Sequence, residues 1–330
     1  MFLLFPDLLN GLDLRARELI YGSKAPSTWS KYDAAFRRFE IWAKKLGLVP
    51  FPASASTVIR FFAFLADETK SVNSVSTALC AITAKHNLEG FPNPCKDPRV
   101  SAICEGIKRR FFKPHKQCKP LTQEIIEAIA RKKLGKKSDR GSVKDWRTVW
   151  LALMTFRCCA RYDDIARLRL PDLVFGERDL TICFRFRKND QIGRGHKVEI
   201  KESPSRMCLV KKSREYLSTI RRLGAPRDGF ALPRMDRLSN GQFKCYWDQK
   251  ASYNSCRLSF LNALCAAGYD SEGYGLHSGK VGGVVALREG GLSWRSLCDF
   301  VGWAPKSAMP ERYAKESRRS KTKASSLLEI

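Results

Sequence analysis

A basic stretch from Lys108 to Thr122, KRRFFKPHKQCKPLT, separates two parts of this chain that differ in sequence pattern. It combines two prolines with six Lys or Arg residues and contains no acidic residue. Proline interrupts helices and strands, so this composition favours a solvated segment. The stretch is either a linker that crosses a phosphate backbone or an ordinary basic loop. Because a usual domain holds about 100–200 residues, we predict a helical domain at 1–112, a linker at 113–121 and a second domain at 122–330.

The part before this stretch has the apolar spacing of amphipathic helices. Aromatic residues from Trp29 to Trp42 recur at three- and four-residue steps, and Ser27 and Thr28 are candidate helix caps. Three more runs with this spacing lie at 58–65, 75–82 and 100–107. We predict one bundle of four helices. Its aromatic rings are expected to form the core rather than a surface that stacks on bases, because they share one helix face.

The part after the stretch mixes helices with strands. Helices are predicted at 120–134 and 145–160, and the second is apolar on nearly all sides, which indicates burial. Residues 179–188 and 196–200 have strand composition, and the NDQIGRG segment between them is typical of a turn. Another strand is predicted at 206–212, RMCLVKK, and further helices at 213–223, 253–268, 280–291 and 293–303, before a basic tail at 316–330. The expected fold class is mainly α with a small β-sheet, in which an α+β domain follows the helical one.

The net charge favours an anionic partner. The chain has 60 Lys and Arg residues against 33 Asp and Glu residues, a formal charge of +27. Nucleic acid is the commonest partner of such a protein. An anionic membrane is a weaker alternative, because no apolar run approaches the about 20 residues of a spanning helix. The opening segment MFLLFPDLLNGLDL is interrupted by Pro6 and Asp7 and lacks a basic leader, so we expect an intracellular protein without a signal peptide.

The twelve cysteines are expected to be free thiols. Several lie on apolar faces of predicted helices, as buried thiols do in a reducing compartment. These are Cys80, Cys104, Cys158, Cys159, Cys265 and Cys298. The chain has four histidines and no Cys-x-x-Cys pair, so a zinc site is not expected. It also lacks a G-x-x-x-x-G-K-[ST] loop, so chemistry driven by ATP has no support.

Phosphodiester exchange without metal or nucleotide needs a nucleophile, cations for the non-bridging oxygens and an acid for the departing oxygen. Arg161 begins a predicted short helix, and its guanidinium can bind two phosphate oxygens, with Asp164 one turn on to hold it. Lys188 precedes the predicted turn, where its amine could reach a leaving 5′-oxygen. Taken alone, Arg161 and Asp164 have the spacing of a frequent surface pair, and Lys188 is an ordinary exposed lysine.

The last part of the chain adds four candidates. His277 precedes Lys280 at a predicted helix start, where backbone N–H groups and the helix dipole attract a phosphate. Trp303 carries an indole N–H that can donate to a phosphate oxygen. Tyr313 can act as the nucleophile if nearby cations lower the cost of its deprotonation. The alternatives are a capping histidine and a core tryptophan.

The order of these residues, Arg, Lys, His-x-x-basic, Trp and Tyr, resembles the catalytic domain of the tyrosine recombinases, also called phage-type integrases. The segments STWSKYDAAFRRFEIWAKKLG and VSAICEGIKRR resemble the helical core-binding domain of the same family. The resemblance implies that Arg161 and Lys280 clamp the phosphate and that Lys188 protonates the leaving group.

Under the same resemblance, His277 and Trp303 assist as donors, and Tyr313 forms a 3′-phosphotyrosyl link. The implied activity is cutting and rejoining of double-stranded DNA at specific sites by a homo-oligomer on DNA, without metal, ATP or another cofactor. No membrane partner is implied. The residues at the joint that we expect to contact DNA are Lys108, Arg109, Arg110, Lys113, Lys116 and Lys119.

Within the family, two segments look most like the integrases of eukaryotic mobile elements of the Crypton and DIRS type. They are HSGKVGG and KNDQIGRG. The expected location is the nucleus for a eukaryotic protein and otherwise the cytoplasm. A type IB topoisomerase would use similar chemistry, but the helical first part favours the recombinase.

Two features depart from the family pattern. The family has arginine where this chain has Lys280, and lysine keeps the charge but loses the planar two-pronged donor. The segment from Trp303 to Tyr313 is slightly longer than usual and includes Pro305 and Pro310. Two classes of function therefore stay open: a DNA strand-exchange enzyme, and a catalytically impaired or domesticated DNA-binding protein that keeps the fold.

Overall fold

The computed structural model describes residues 5–114, 117–135, 141–187, 190, 193–304 and 307. The chain divides into two compact units, Met1–His115 and Lys116–Ile330, and the division falls inside the basic stretch. Three of the candidate residues, Lys116, Lys188 and Tyr313, lie outside the described residues.

Five helices make up the described part of the first unit. They are α1 (Phe5–Gly22), α2 (Pro26–Lys45), α3 (Ala55–Thr69), α4 (Val72–Leu88) and α5 (Pro98–Phe111). The four predicted helices are confirmed as α2 to α5, and α1 is an additional helix that the pattern did not indicate. Helix α2 has Ala25 at its N-cap, so the prediction that Ser27 and Thr28 cap it is wrong. Pro26 opens the helix instead, because proline fits a first turn whose N–H groups have no helical partner.

Aromatic rings fill the core of the first unit, as predicted. Phe39, Phe61 and Phe62 are fully buried, and the ring centroids of Phe39 and Phe61 lie 5.0 Å apart. Apolar burial of this kind is the main favourable contribution to folding. The aromatic stripe of α2 therefore serves packing in this unit.

The second unit combines helices with two small antiparallel sheets in its described part. The helices are α6 (Gln123–Leu134), α7 (Val143–Arg157), α8 (Tyr162–Ala166), α9 (Leu209–Arg222), α10 (Tyr253–Ala266), α11 (Ser278–Glu289) and α12 (Trp294–Val301). The strands are β1 (Leu173–Phe175), β2 (Asp179–Phe184), β3 (His196–Lys201), β4 (Pro233–Arg237) and β5 (Phe243–Lys250). The first sheet has the order β1-β2-β3 with Ile182 opposite Val198, and β4 pairs with β5.

The prediction of a strand at RMCLVKK is wrong. Helix α9 begins inside it, at Leu209, and buries Leu209, Val210 and Ile220 on one face. The helical period of the following segment therefore extends back over this apolar run. Strand β1 and the β4–β5 hairpin were not predicted, although Asn240-Gly241 at the hairpin turn is a usual turn signal. The strands predicted at 179–188 and 196–200 are confirmed as β2 and β3, with β2 ending at Phe184.

The second half of the predicted linker is packed into the second unit. The N–H of Lys119 donates to Gly273 O at 2.8 Å, and the N–H of Leu121 donates to Ser278 O at 2.9 Å. The side chain of Leu121 is buried. Residues 119–121 are therefore a structural part of the unit that holds α11, and not a solvated connection.

All twelve cysteines are free thiols, as predicted. Cys158, Cys159 and Cys298 are buried, whereas Cys80 and Cys265 are exposed, so the expected burial of these two thiols is wrong. Both lie on helices but face outward. No helix among the described residues has the length and apolar character needed to cross a membrane.

Helix α11 lies directly against the backbone of its neighbours because three glycines line the contact. A Cβ added at Gly279 would collide with Thr155 Oγ1 of α7, and one at Gly282 would collide with the carbonyl oxygen of Leu121. A Cβ at Gly283 would collide with Phe156 O, also of α7. Glycine is therefore required at these positions for close approach of the chains.

We expect Gly282→Ala to destabilise the second unit by about 1–3 kcal/mol or more, because a methyl group must displace backbone atoms rather than a flexible side chain. Gly106→Ala is the matched control, since Gly106 is also helical but has no atom within 4 Å of an added Cβ. The control should be neutral or slightly stabilising. Denaturant unfolding, with hydrogen exchange to locate the effect, measures both changes, and equal stability of the two variants would contradict the packing argument.

Candidate active site

The position of Arg161 follows from the sharp turn after α7. The chain leaves α7 through Cys158, Cys159 and Ala160, which are all buried, and Cys159 has a left-handed backbone with φ of 46°. Arg161 is then the N-cap residue of α8, as predicted. Its backbone N–H donates to Asp164 Oδ2 at 3.0 Å. This carboxylate therefore holds Arg161 through the main chain, whereas the sequence suggested that it holds the guanidinium.

Asp164 also faces a second arginine that the sequence analysis did not select. Arg187 Nε lies 3.4 Å from Asp164 Oδ2, and Arg187 Nη1 donates to Val301 O at 2.8 Å. Both side chains of the pair are almost fully buried. The only sequence signal for Arg187 is its place beside Lys188, because its partners are remote in the chain.

Helix α11 brings Lys280 into the same region. His277 is the half-buried N-cap residue of this helix, and Lys280 lies in its first turn. Lys280 is fully buried. Its Nζ has no hydrogen-bond partner among the described residues, and lies 5.1 Å from the ring centroid of Trp303. This distance corresponds to a cation–π contact.

Trp303 is held beside Lys280 by the end of α12. Its backbone N–H donates to Cys298 O at 2.8 Å, and its side chain is buried. Gly302 ends the helix in a left-handed conformation with φ of 69°. His196 of β3 also supports this helix end, because its Nε2 lies 3.0 Å from Phe300 O. The pKa of His196 is lowered, mainly because the side chain is partly buried.

The site has more positive than negative charge among its described groups. Burial, followed by the charges of Arg161 and Arg187, lowers the pKa of the Lys280 amine to about 7, and Asp164 acts in the opposite direction. Burial raises the pKa of the Cys159 thiol to about 12, so this thiol supplies no negative charge near neutral pH. Asp164 thus offsets only part of the positive charge of Arg161, Arg187 and Lys280. Such a site can bind an anion that brings its own negative charge and acceptor oxygens.

The structure brings Arg161, Asp164, Lys280 and Trp303 together, with His277 on the same helix as Lys280. Lys188 and Tyr313 lie outside the described residues, so their predicted roles stay predictions. The described residues contain no cluster of three or more His, Cys, Asp or Glu side chains that could hold a metal ion.

The basic residues predicted to contact DNA are exposed where the structure describes them. Lys108, Arg109 and Arg110 form the last turn of α5, and Lys108 forms an ion pair with Glu105 at 2.7 Å. Lys113 and Lys119 are exposed. These side chains are accessible, and their contact with DNA stays a prediction.

The chain is similar to proteins described as recombinases and integrases. No protein-family model matches the chain. An integrase/recombinase XerD homolog of Selenomonas ruminantium is 27% identical over 212 residues, which cover 63% of this chain and 60% of the relative. The match therefore spans less than two thirds of the relative's length.

Several solved structures share the fold. The XerH site-specific recombinase bound to palindromic difH substrate gives a TM-score of 0.60 at 13% identity, covering 91% of this chain and 80% of the other. The Tn1549 transposon integrase in complex with transposon right end DNA gives 0.58 at 14% identity, covering 96% and 98%. A lambda integrase dimer bound to a COC′ core site gives 0.57 at 16% identity, covering 93% and 95%. The predicted fold class is confirmed, and the resemblance to tyrosine recombinases is supported.

We expect the free energy of unfolding to rise with pH between about 7 and 10.5 relative to a Lys280→Met variant, because the buried amine has a pKa of about 7 against an ordinary 10.5. In this window the unfolded chain binds a proton at Lys280 and the folded chain does not, so a higher pH favours the folded state. At pH 7 the Lys280→Met variant is expected to have the higher free energy of unfolding. Its difference from wild type should shrink by about 1–4 kcal/mol as the pH rises through this window.

Urea unfolding at several pH values measures this difference. Lys45→Met is the control, because it removes an exposed lysine at the end of α2. Parallel pH profiles for wild type and Lys280→Met would contradict the predicted proton release.

Proposed function

We propose that this protein is a site-specific DNA recombinase or integrase of the tyrosine recombinase type, which cuts and rejoins double-stranded DNA through a phosphotyrosyl link at Tyr313. The observation that carries the proposal is the Lys280 amine, which is fully buried and has no hydrogen-bond partner among the described residues. A buried cation without a hydrogen-bond partner is costly unless a ligand completes its environment. A phosphodiester supplies the missing charge and acceptors.

A phosphate suits the arrangement better than a neutral ligand. Arg161 and Arg187 already lower the pKa of Lys280 by repulsion, and a phosphate oxygen between these cations would reverse that effect. The N-terminal end of α11, with His277 as its N-cap, adds the favourable side of the helix dipole. The charges thus favour the state in which a DNA phosphate is bound.

The proposed reaction exchanges one phosphate ester for another. The Tyr313 oxygen forms a bond to phosphorus and loses its proton to solvent water, the bond from phosphorus to the 5′-oxygen breaks, and the Lys188 ammonium gives a proton to that oxygen. Arg161 and Lys280 stabilise the charge on the non-bridging oxygens, and His277 and Trp303 assist them. Because the energy of the ester bond is kept in the phosphotyrosyl link, the reaction needs no ATP. The charge stabilisation that a metal would otherwise supply comes from Arg161 and Lys280.

The proposed partner is duplex DNA bound by several copies of the chain, since each copy supplies one Tyr313 as nucleophile. The charge of +27 and the exposed basic residues of the joint support contacts with many phosphates. The lambda integrase that shares the fold is described as a dimer on a DNA core site, which is consistent with such an assembly. We also propose the narrower relationship to Crypton and DIRS integrases that the HSGKVGG segment suggests.

The test is a search for a covalent protein–DNA adduct. The full chain is incubated with a library of nicked and half-site DNA in the presence of a chelator, and adducts that survive denaturation are sequenced. We expect adducts with wild type and with the control Tyr21→Phe, and none with Tyr313→Phe. Adducts that persist in Tyr313→Phe, or that disappear with chelator, would exclude this mechanism.

The second candidate function is a catalytically impaired DNA-binding protein, and Lys280 in place of the family's arginine favours it. If lysine limits the rate, Lys280→Arg should raise adduct formation by about tenfold or more with little change in DNA affinity. The reason is that arginine stays charged and offers a paired donor to the transition state.

A single-turnover assay with wild type, Lys280→Arg and Lys280→Ala separates the candidates. A brisk wild-type reaction that is lost in Lys280→Ala and not improved in Lys280→Arg would exclude impairment. If all three proteins bind a DNA site tightly but none reacts, the binding function is supported instead.

A further inference from the structure

We propose that Arg187 is a positioning residue, whose guanidinium holds together three chain segments that carry proposed catalytic residues. The first segment begins α8 at Arg161, the second follows α12 at Trp303, and the third contains Arg187 itself, which directly precedes Lys188 in the sequence. The inference rests on the proposed function and adds to it a residue that the tyrosine recombinase pattern quoted above does not contain.

The first link runs from Arg187 to Arg161 through a shared carboxylate. Arg187 Nε and Nη2 lie 3.4 and 3.5 Å from Asp164 Oδ2. The same oxygen accepts the backbone N–H of Arg161 at 3.0 Å. One oxygen atom therefore interacts with the backbone N–H of Arg161 and with the guanidinium of Arg187. A shift of the Arg187 side chain would move this carboxylate and weaken its hydrogen bond to the start of α8.

The second link runs to the end of α12. Arg187 Nη1 donates to Val301 O at 2.8 Å, and Val301 is two residues before Trp303. A cation at this place also suits the negative end of the helix dipole. Gly302 allows the approach, because a Cβ there would lie 3.0 Å from Arg187 Nη1. The guanidinium therefore fixes the helix end that places Trp303.

The third link is the peptide bond to Lys188. The N–H of Asp190 donates to Arg187 O at 2.8 Å, so the backbone of Arg187 closes the start of the turn while its side chain is held elsewhere. The guanidinium also lies 4.8 Å from the ring centroid of Phe184 at the end of β2. The residue that precedes Lys188 in the chain is thus held through both its backbone and its side chain.

Stability alone is a weak reason for this arrangement. Arg187 is only 6% exposed, and burial lowers its pKa despite the opposing effect of Asp164. A buried ion pair of this kind is often no more stabilising than an apolar pair of similar size. The planar fork of a guanidinium, however, fixes the directions of its bonds to two partners at once, whereas the donors of a lysine ammonium rotate freely and an apolar chain has none.

The test compares Arg187→Lys and Arg187→Met with Arg185→Met. Arg185 lies two residues away, and its exposed side chain forms an ion pair with the buried Asp172 at 2.7 Å. Arg185→Met therefore controls for the loss of a nearby arginine. Single-turnover adduct formation is measured on two suicide DNA substrates. One has the natural 5′-oxygen at the cleavage site, and the other has sulfur there, a leaving group that needs no proton from Lys188.

We expect both Arg187 variants to form the adduct about 100-fold more slowly on the oxygen substrate, because small misplacements of reacting groups have effects of this size. On the sulfur substrate the loss should shrink about tenfold without vanishing, because sulfur removes the need for the Lys188 proton while Arg161 and Trp303 remain misplaced. The loss in Lys188→Ala should be recovered more completely. The DNA affinity of the Arg187 variants should remain close to that of wild type. The rate of adduct formation by Arg185→Met should also remain close to that of wild type. Failure of Arg187→Lys to rescue the rate shows that geometry, and not charge alone, is needed.

Two results would overturn the inference while leaving the proposed function intact: variants that react like wild type, and variants with the same loss on both substrates. The second result would mean a general structural role, and hydrogen exchange of the β2–β3 and α12 amides would then show unfolding. Wild type that forms no adduct on either substrate would reject the proposed function itself and, with it, the inference.

Discussion

The buried carboxylate of Asp164 is the interaction on which the candidate site depends. Its Oδ2 accepts the backbone N–H of Arg161 and faces the guanidinium of Arg187, and its charge partly restores the basicity of Lys280. In a protein interior a cation without such a partner would be expelled or neutralised. One carboxylate thus allows three basic side chains to share a small volume.

The same carboxylate leaves the site short of negative charge, and this shortage matters for function. A second acid beside Lys280 would satisfy the amine and raise the stability of the protein, but it would also repel the phosphate that we propose to bind there. Binding sites commonly give up stability in this way. Burial, together with the charges of Arg161 and Arg187, accordingly lowers the pKa of Lys280 to about 7.

Most helices could be predicted from the sequence because their apolar period is local. Helices α2 to α7 and α10 to α12 have that period, whereas RMCLVKK looks like a strand when it is separated from the helix it begins. The ribbon from Pro233 to Lys250 is mixed in polarity along its length. Its hydrophobic alternation is therefore weak, and only Asn240-Gly241 pointed to a turn.

The candidate site shows a similar division between local and remote information. Arg161, His277 and Lys280 stand in short motifs that a resemblance can detect. Arg187 could not be found in this way, because its partner Val301 is 114 residues distant in the chain. The complete burial of Lys280 also follows from packing of α11 on α7 rather than from the residues beside it. Motifs identified the chemistry, and long-range contacts determine its environment.

The glycines of α11 have a consequence for how the site comes into being during folding. Three glycines in one short helix lower its intrinsic helicity, by about 1 kcal/mol each relative to alanine, and its β-branched valines add nothing to offset this. An isolated segment of this kind would be mostly unstructured in water. Lys280 therefore acquires its depressed basicity only when α11 docks on α7 and on Leu121. The proposed phosphate-binding chemistry is thus a property of the assembled tertiary structure, and it should appear and vanish with the cooperative folding of the whole unit.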